Sequence, residues 1–264
     1  MQPPQIKILQ CSGGFFILAH CHTRLFIFAA MAQKKLFRFA QIKTFANVHE
    51  YPENMQGKWQ GYFQNQNPIT LELACGRGEY TIGLATLYPY RNFIGVDVKG
   101  NRMYLGAKKA MDLKLHNAAF LRTQIEMLPQ YFAPSEVDEI WITFPDPQLR
   151  TSKAKKRLTH PRFLRLYQQI LKPGGFIHLK TDSPELYLFT KLVIEMYGCQ
   201  LIINSDDIKT DNLDMADLGI RTHYESLDIA QSKKIHYLRF SLPLQMNKND
   251  DTLKKLLKDE QGLD

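Results

Sequence analysis

An aspartate framed by two prolines, Asp146 in the stretch WITFPDPQLR, ends an apolar run and is followed by the cations Arg150, Lys153, Lys155, Lys156, Arg157 and Arg162. Each proline locks its own φ and narrows the backbone choices of the residue before it, so the carboxylate is expected to point in a fixed direction. Such a group can stabilise positive charge developing on a bound molecule, while the neighbouring cations hold the phosphates of a polyanion. The plainer alternative is an ordinary turn aspartate beside a solvated lysine-rich loop.

A second group of residues bears on that choice. In ELACGRGEY, residues 72 to 80, Gly76 and Gly78 let backbone approach a ligand closely, and a helical pattern opens near Glu79. A tight turn uses the same residues, so the loop alone is weak evidence. About twenty residues further on, Asp97 ends the next apolar run, where a carboxylate accepts both ribose hydroxyls of a nucleoside or else caps the following helix. The loop has the form E-x-x-x-G-x-G instead of G-x-G-x-x-G, and Glu72 lies within the strand before it. A carboxylate there suits a cationic ligand better than a pyrophosphate. The expected cofactor is therefore a methyl donor, S-adenosylmethionine.

These residues need elements to hold them. Short apolar runs at 69–74, 92–98, 118–122, 138–144 and 175–181 read as buried strands, and 79–88, 100–115, 161–171 and 184–197 carry helical spacing. Strands alternating with helices through short connections predict a doubly wound α/β sheet with helices on both faces. Residues 200–204 and 234–242 add two late strands, with an antiparallel edge, making seven in all. In such sheets ligands bind beyond the carboxyl ends of the strands, where strand order reverses. The loop after Glu72 and the Pro-Asp-Pro turn both fall there.

Composition sets the outer limits. A chain of 264 residues with 44% hydrophobic content can bury one sizeable core, here placed at 67–242. The excess of 34 basic over 26 acidic residues, net +8, attracts polyanions over a Debye length without choosing between nucleic acid and anionic membrane. Cys11, Cys21, Cys75 and Cys199 show no paired spacing, which favours a reducing, cytoplasmic compartment, and no metal site is expected; the short His20-Cys21-His22 cluster lacks a second ligand pair. Residues 13–31 are apolar but interrupted by His20, His22 and Arg24, which argues against a membrane span. Residues 1–30 read as a poorly ordered extension ahead of Met31. Residues 31–66 read as a basic, aromatic segment that clamps RNA or orders on binding it, and 243–264 as a charged, solvated tail with one short helix.

With these stretches in place, the sequence resembles the bacterial-type tRNA (guanine-N7)-methyltransferases from about Met31 to Leu242. The narrowest points of likeness are LELACGRGEY, FIGVDVKG, WITFPDPQLR, KRLT at 156–159, HLKTD at 178–182 and RTHYE at 221–225. The resemblance implies a Rossmann-like class I fold dependent on S-adenosylmethionine and methylation of guanosine-46 in the tRNA variable loop, by a monomer or homodimer. It places Glu72, Gly76, Gly78, Asp97 and Gln124 at the cofactor, Asp146 between cofactor and target base, and Arg150, Asp182, Thr222, Tyr224 and Glu225 at the substrate. Lys153, Lys155, Lys156 and Arg157 then meet the RNA backbone. Ala74 stands where the family often has glycine, Gln124 where many members have Asp, and Arg150 where Lys is usual; the last keeps the charge and changes the geometry. Trp141 and Phe144 read as packing residues, and His178 and His223 as structural or solvent-facing. Two rivals stay open: a methyltransferase with another target, and an RNA-binding module that has lost catalysis.

Overall fold

The computed structural model describes residues 33, 36–213, 215–226 and 234–259. The calls on residues 1–30, including the His20-Cys21-His22 cluster, lie outside these. In chain order the elements are β1 (Val48–Glu50), α1 (Trp59–Phe63), β2 (Ile69–Leu73), α2 (Glu79–Leu87), β3 (Asn92–Asp97), α3 (Gly100–Asp112), β4 (Ala118–Arg122), α4 (Leu128–Tyr131), β5 (Val137–Thr143), α5 (Pro161–Ile170), β6 (Leu171–Thr181), α6 (Pro184–Met196), β7 (Gln200–Ser205), α7 (His223–Ser226), β8 (His236–Ser241) and α8 (Asp250–Asp259).

One sheet runs in the order β1-β4-β3-β2-β5-β6-β8-β7, parallel from β1 to β6. Only β8 is reversed: it pairs antiparallel with both β6 and β7. The central strands β2 and β3 are buried at every position because helices cover both faces, which is why their sequences run apolar without alternation. Successive side chains of β5 still go to opposite faces. Ile140 and Ile142 join the core under α5 and α6, whereas Trp141 joins Tyr80, Phe93 and Phe120 under α2 and α3. Helix starts follow local chemistry: Ser183 Oγ accepts from the Leu186 N–H at 3.2 Å, and Pro184 needs no partner for a missing donor.

The count of seven strands is corrected to eight. The additional strand, β1, pairs with β4 at the sheet edge and is tied there by an ion pair between Glu50 and Arg122 at 2.7 Å. Three residues are too few to show a two-residue period. The segment around it is also packed, with Ile42, Trp59 and Phe63 buried and the Trp59 indole donating to the Tyr131 carbonyl at 2.8 Å. The tail differs from a solvated segment too: Met246 and Leu253 are buried, and α8 docks against the core through Leu253. No helix among the described residues is long and apolar enough to cross a membrane.

Sheet order reverses at β2, with β3 on one side and β5 on the other. The carboxyl ends of β2, β5 and β6 therefore open onto a common rim. Because β8 runs backwards, its first residues also reach that rim, and Asp206, Lys234 and His236 line a cavity there.

Candidate active site

Two adjoining cavities occupy the rim. The first, of about 480 Å³, is lined by Glu72, Ala74, Gly76, Arg77, Glu79 and Thr143 among others. Glu72 is 3% exposed on β2; its carboxyl accepts from the Thr81 N–H at 2.7 Å, the Thr81 hydroxyl and the Thr143 hydroxyl at 3.3 Å. Burial outweighs these hydrogen bonds and pushes its pKa up to about 8, so the carboxyl prefers to be protonated at neutral pH unless a cation joins it. Asp97 is buried at the end of β3 and accepts from the Gly76 N–H at 2.9 Å and the Lys99 N–H at 2.8 Å. Each of its oxygens has one further lone pair to offer. Asp97 is thus the brace of the glycine loop, and Lys99, not Asp97, occupies the cap position of α3.

The loop itself is tightly constrained. Gly78 has φ +70°, and a Cβ there would stand 2.5 Å from the Phe120 ring, so glycine is required on both counts. Ala74 adopts φ +55°, a left-handed conformation that costs an alanine about 1 kcal/mol or more. Ala74 lines the cavity. Gln124 lies at the head of the next connection, exposed, and is not among the residues lining this cavity.

The second cavity, of about 760 Å³, brings together Asp146 and Asp182, from the ends of neighbouring strands β5 and β6, with Leu149 and Tyr224. Asp146 is exposed, and its Oδ1 accepts the Gln148 N–H at 3.1 Å. The turn is stiffened by more than its prolines. Phe144 and Gln148, on either side, both adopt left-handed φ, +45° and +49°. Arg157, only 4% exposed, points its guanidinium into the turn and donates to the carbonyls of Pro147 at 3.2 Å, Gln148 at 3.3 Å and Leu149 at 3.4 Å, while lying 4.5 Å over the Phe189 ring.

The expectation that Arg157 contacts RNA backbone is therefore corrected. Its fork of donors satisfies carbonyls that a strained turn leaves without partners, and a buried group is not offered to solvent phosphates. Lys153, Lys155 and Lys156, on the 3-10 helix Thr151–Lys156, are exposed, and so is Arg150 at its start.

The late segment divides its work in a way the sequence reading did not anticipate. Thr222 and Glu225 form a reciprocal cap: the Thr222 N–H donates to Glu225 Oε2 at 2.9 Å, and the Glu225 N–H donates to Thr222 Oγ1 at 3.2 Å. The other Glu225 oxygen pairs with Lys180 at 3.0 Å. Lys180 is fully buried on β6 and also donates to the Leu218 and Ile220 carbonyls at 3.1 and 3.2 Å, with its ammonium near the Tyr80 and Phe144 rings. Burial lowers its pKa, and Glu225 opposes the shift. Thr222 and Glu225 are thus engaged chiefly with each other and with Lys180. Tyr224 faces the second cavity, its hydroxyl donating to Asp182 Oδ2 at 3.1 Å.

Phe144 and Tyr224 line both cavities, with ring centroids 5.7 Å apart, so they form the shared wall. Phe144 is more than strand-end packing. Trp141 and His178 are buried and stacked 4.0 Å apart, as packing residues, whereas His223 lines the first cavity. Lys180 went unassigned although a signal existed: a lysine inside an otherwise apolar strand requires a buried partner. No metal-holding group of His, Cys, Asp or Glu occurs among the described residues.

A family model described as "Putative methyltransferase" matches residues 66–238. The chain is 44% identical over 222 residues to a tRNA (guanine-N(7)-)-methyltransferase of Bacteroides thetaiotaomicron, covering 81% of this chain and 87% of that protein. It is 47% identical over 213 residues to the protein of that name from Porphyromonas gingivalis, covering 76% and 86%. Among solved structures, a 30S ribosomal A1408 methyltransferase from an uncultured bacterium superposes with TM-score 0.54 at 18% identity, covering 73% of this chain and 96% of that one, which speaks for the fold alone. On the strength of the close relatives, the chain belongs to the tRNA (guanine-N(7)-)-methyltransferase family.

Proposed function

We propose that this chain transfers a methyl group from S-adenosylmethionine to N7 of guanosine-46 in the variable loop of tRNA. The observation that carries the reading is the pair of carboxylates, Asp146 and Asp182, in a cavity that meets the Glu72 cavity at Phe144 and Tyr224.

The first cavity suits the donor in size and chemistry. About 480 Å³ is within the range of small-molecule sites. Glu72 offers a buried carboxyl for a cationic group and Gly76 presents backbone without a side chain, while Asp97, bonded to Gly76 just outside that lining, has lone pairs left for ribose hydroxyls. When bound, the donor supplies an electrophilic methyl on a sulfonium centre.

Guanine N7 already holds a lone pair, so no residue has to remove a proton to create the nucleophile. The chain's task is alignment and charge stabilisation, and alignment alone is worth on the order of 7–11 kcal/mol in well-oriented reactions. Asp146 and Asp182 accept hydrogen bonds from the guanine N1 and N2 edge and face a purine that becomes cationic as N7 is alkylated. Arg150, Lys153, Lys155 and Lys156 hold the phosphates, and Tyr224 orients Asp182. The unpaired thiols Cys75 and Cys199 suit the reducing cytoplasm. The test is to incubate unmodified tRNA with labelled donor and map the product; label at any nucleotide other than guanosine-46, or at another ring atom, overturns the assignment.

Two further results are expected. Glu72 with a folded pKa of about 8, against about 4.5 unfolded, holds a proton at pH 7 that the unfolded chain lacks; its contribution to stability is therefore full below pH 4.5 and falls as pH rises to 8. A cationic ligand reverses that preference. Donor binding at pH 7 should release up to about one proton, read by calorimetry in buffers of different ionisation enthalpy, and Glu72→Gln should abolish the release. Reversing charge at Lys153 and Lys156 should weaken tRNA binding by about tenfold or more and flatten its salt dependence by about two in log–log slope, with donor affinity unchanged. An unchanged slope would place the RNA elsewhere.

A further inference from the structure

A third cavity, of about 770 Å³, lies between the 3-10 helix Thr151–Lys156, α5 and the C-terminal helix α8. Lys155, Arg162, Arg165, Lys254 and Lys258 line it, against the carboxylates of Asp250 and Asp251. Part of this charge is neutralised internally: Arg165 grips Asp250 with two hydrogen bonds of 3.1 and 2.7 Å, and Arg162 pairs with Glu126 at 2.7 Å. Lys155, Lys254 and Lys258 form no ion pair among the described residues. What remains is a groove with three ammonium groups and one carboxylate, Asp251, outside any ion pair among the described residues, a net positive excess on its walls.

The helix that carries two of them is held in place by the fold. Leu253 is 2% exposed in the core and Leu257 packs against it, which fixes the rotation of α8 about its axis. Lys254 and Lys258 then sit one turn apart on the helix, where i and i+4 side chains share a face. The helix start is anchored as well, since the Tyr197 hydroxyl donates to Asp250 Oδ1 at 3.2 Å and Asn249 donates to the Met196 carbonyl. Three cations on fixed backbone supports around an open groove fit a run of phosphates, because the helices that carry them need not be ordered on binding.

The groove is joined to the Asp146 cavity through the chain. Lys155 belongs to the 3-10 helix that begins two residues after Leu149 of that cavity, and Arg157 ties the end of this helix to the carbonyls of the Pro-Asp-Pro turn. Helix α8 lies beyond the residues matched by the family model, 66–238. We propose that this groove is a second binding site for the tRNA backbone, away from the target nucleotide, and that α8 supplies half of it. The proposal rests on tRNA being the substrate.

The experiment compares wild type with the Lys254→Gln/Lys258→Gln and Lys254→Glu/Lys258→Glu variants. Affinity for unmodified tRNA is measured by anisotropy across a salt series, beside donor affinity, turnover at saturating tRNA and melting temperature. The expected result is about tenfold weaker tRNA binding for the glutamate pair and a log–log salt slope lower by about one to two for the glutamine pair, with the other three readouts unchanged. Unaltered affinity and slope overturn the proposal. So does a lowered melting temperature with an unaltered slope in both variants, which would assign the lysines to the fold. Wild-type protein that neither binds nor methylates tRNA would instead overturn the functional reading, and that control is run first.

Discussion

Asp146→Asn is expected to lower kcat by about 100- to 1000-fold while changing donor affinity by no more than a few-fold, the size of effect seen when one preorganised electrostatic group is removed from a reacting centre. The substitution keeps the shape of the side chain and the oxygen that accepts the Gln148 N–H. It removes the negative charge and replaces one accepting oxygen with a donor. The structure invests heavily in that charge: two left-handed residues, two prolines and a buried arginine all fix one exposed carboxylate. Single-turnover rates at saturating donor and tRNA are the measurement. A loss confined to KM would reassign Asp146 to base binding, and near-normal turnover would remove it from the mechanism.

Lys180→Met should produce the largest loss of stability. Removing one partner of a buried ion pair leaves the other uncompensated, which typically costs about 3–5 kcal/mol, or roughly 10 °C in melting temperature for a chain of this size. Here the orphan is Glu225, 9% exposed at its side chain, and the Leu218 and Ile220 carbonyls lose their donor as well. Activity should fall beyond what instability explains, because the segment so anchored carries Tyr224 against Asp182. The double variant Lys180→Met/Glu225→Met separates the two effects. It should recover much of the stability, since an apolar pair replaces a buried charged one, while turnover stays low because the Thr222 cap and the placement of Tyr224 depend on Glu225. Recovery of both would make the pair a matter of stability alone.

The parallel core was legible because its strands are buried on both faces and so read as unbroken apolar runs. Strand β1 was not, being three residues long and defined by its partner β4. The roles of charged residues were harder to read. Arg157 stands in a run of lysines and shares their composition, yet it turns inward because three carbonyls of the neighbouring turn need donors, a demand set by tertiary geometry. The spacing of Thr222 and Glu225 was available as a capping signature, whereas the sequence suggested substrate contacts or plain loop polar groups. Lys180 could have been found from the cost of burying an ammonium in an apolar strand, although its partner lies 45 positions away along the chain. Glu72 was found by the same logic, and its raised pKa follows from the burial that made it conspicuous.

The reversed strand β8 has a consequence for how this scaffold accommodates change. Its backward course makes the connection from β7 leave and rejoin the sheet at the edge where chemistry is proposed, with Asp206 and His236 both facing the Asp146 cavity. Changes in that excursion outside Leu218 to Glu225, the part that Lys180 anchors, would leave the strands in register and alter the shape presented to an incoming nucleotide. Selectivity among RNA targets can therefore drift in one loop while the hydrogen-bonded framework beneath it stays as it is.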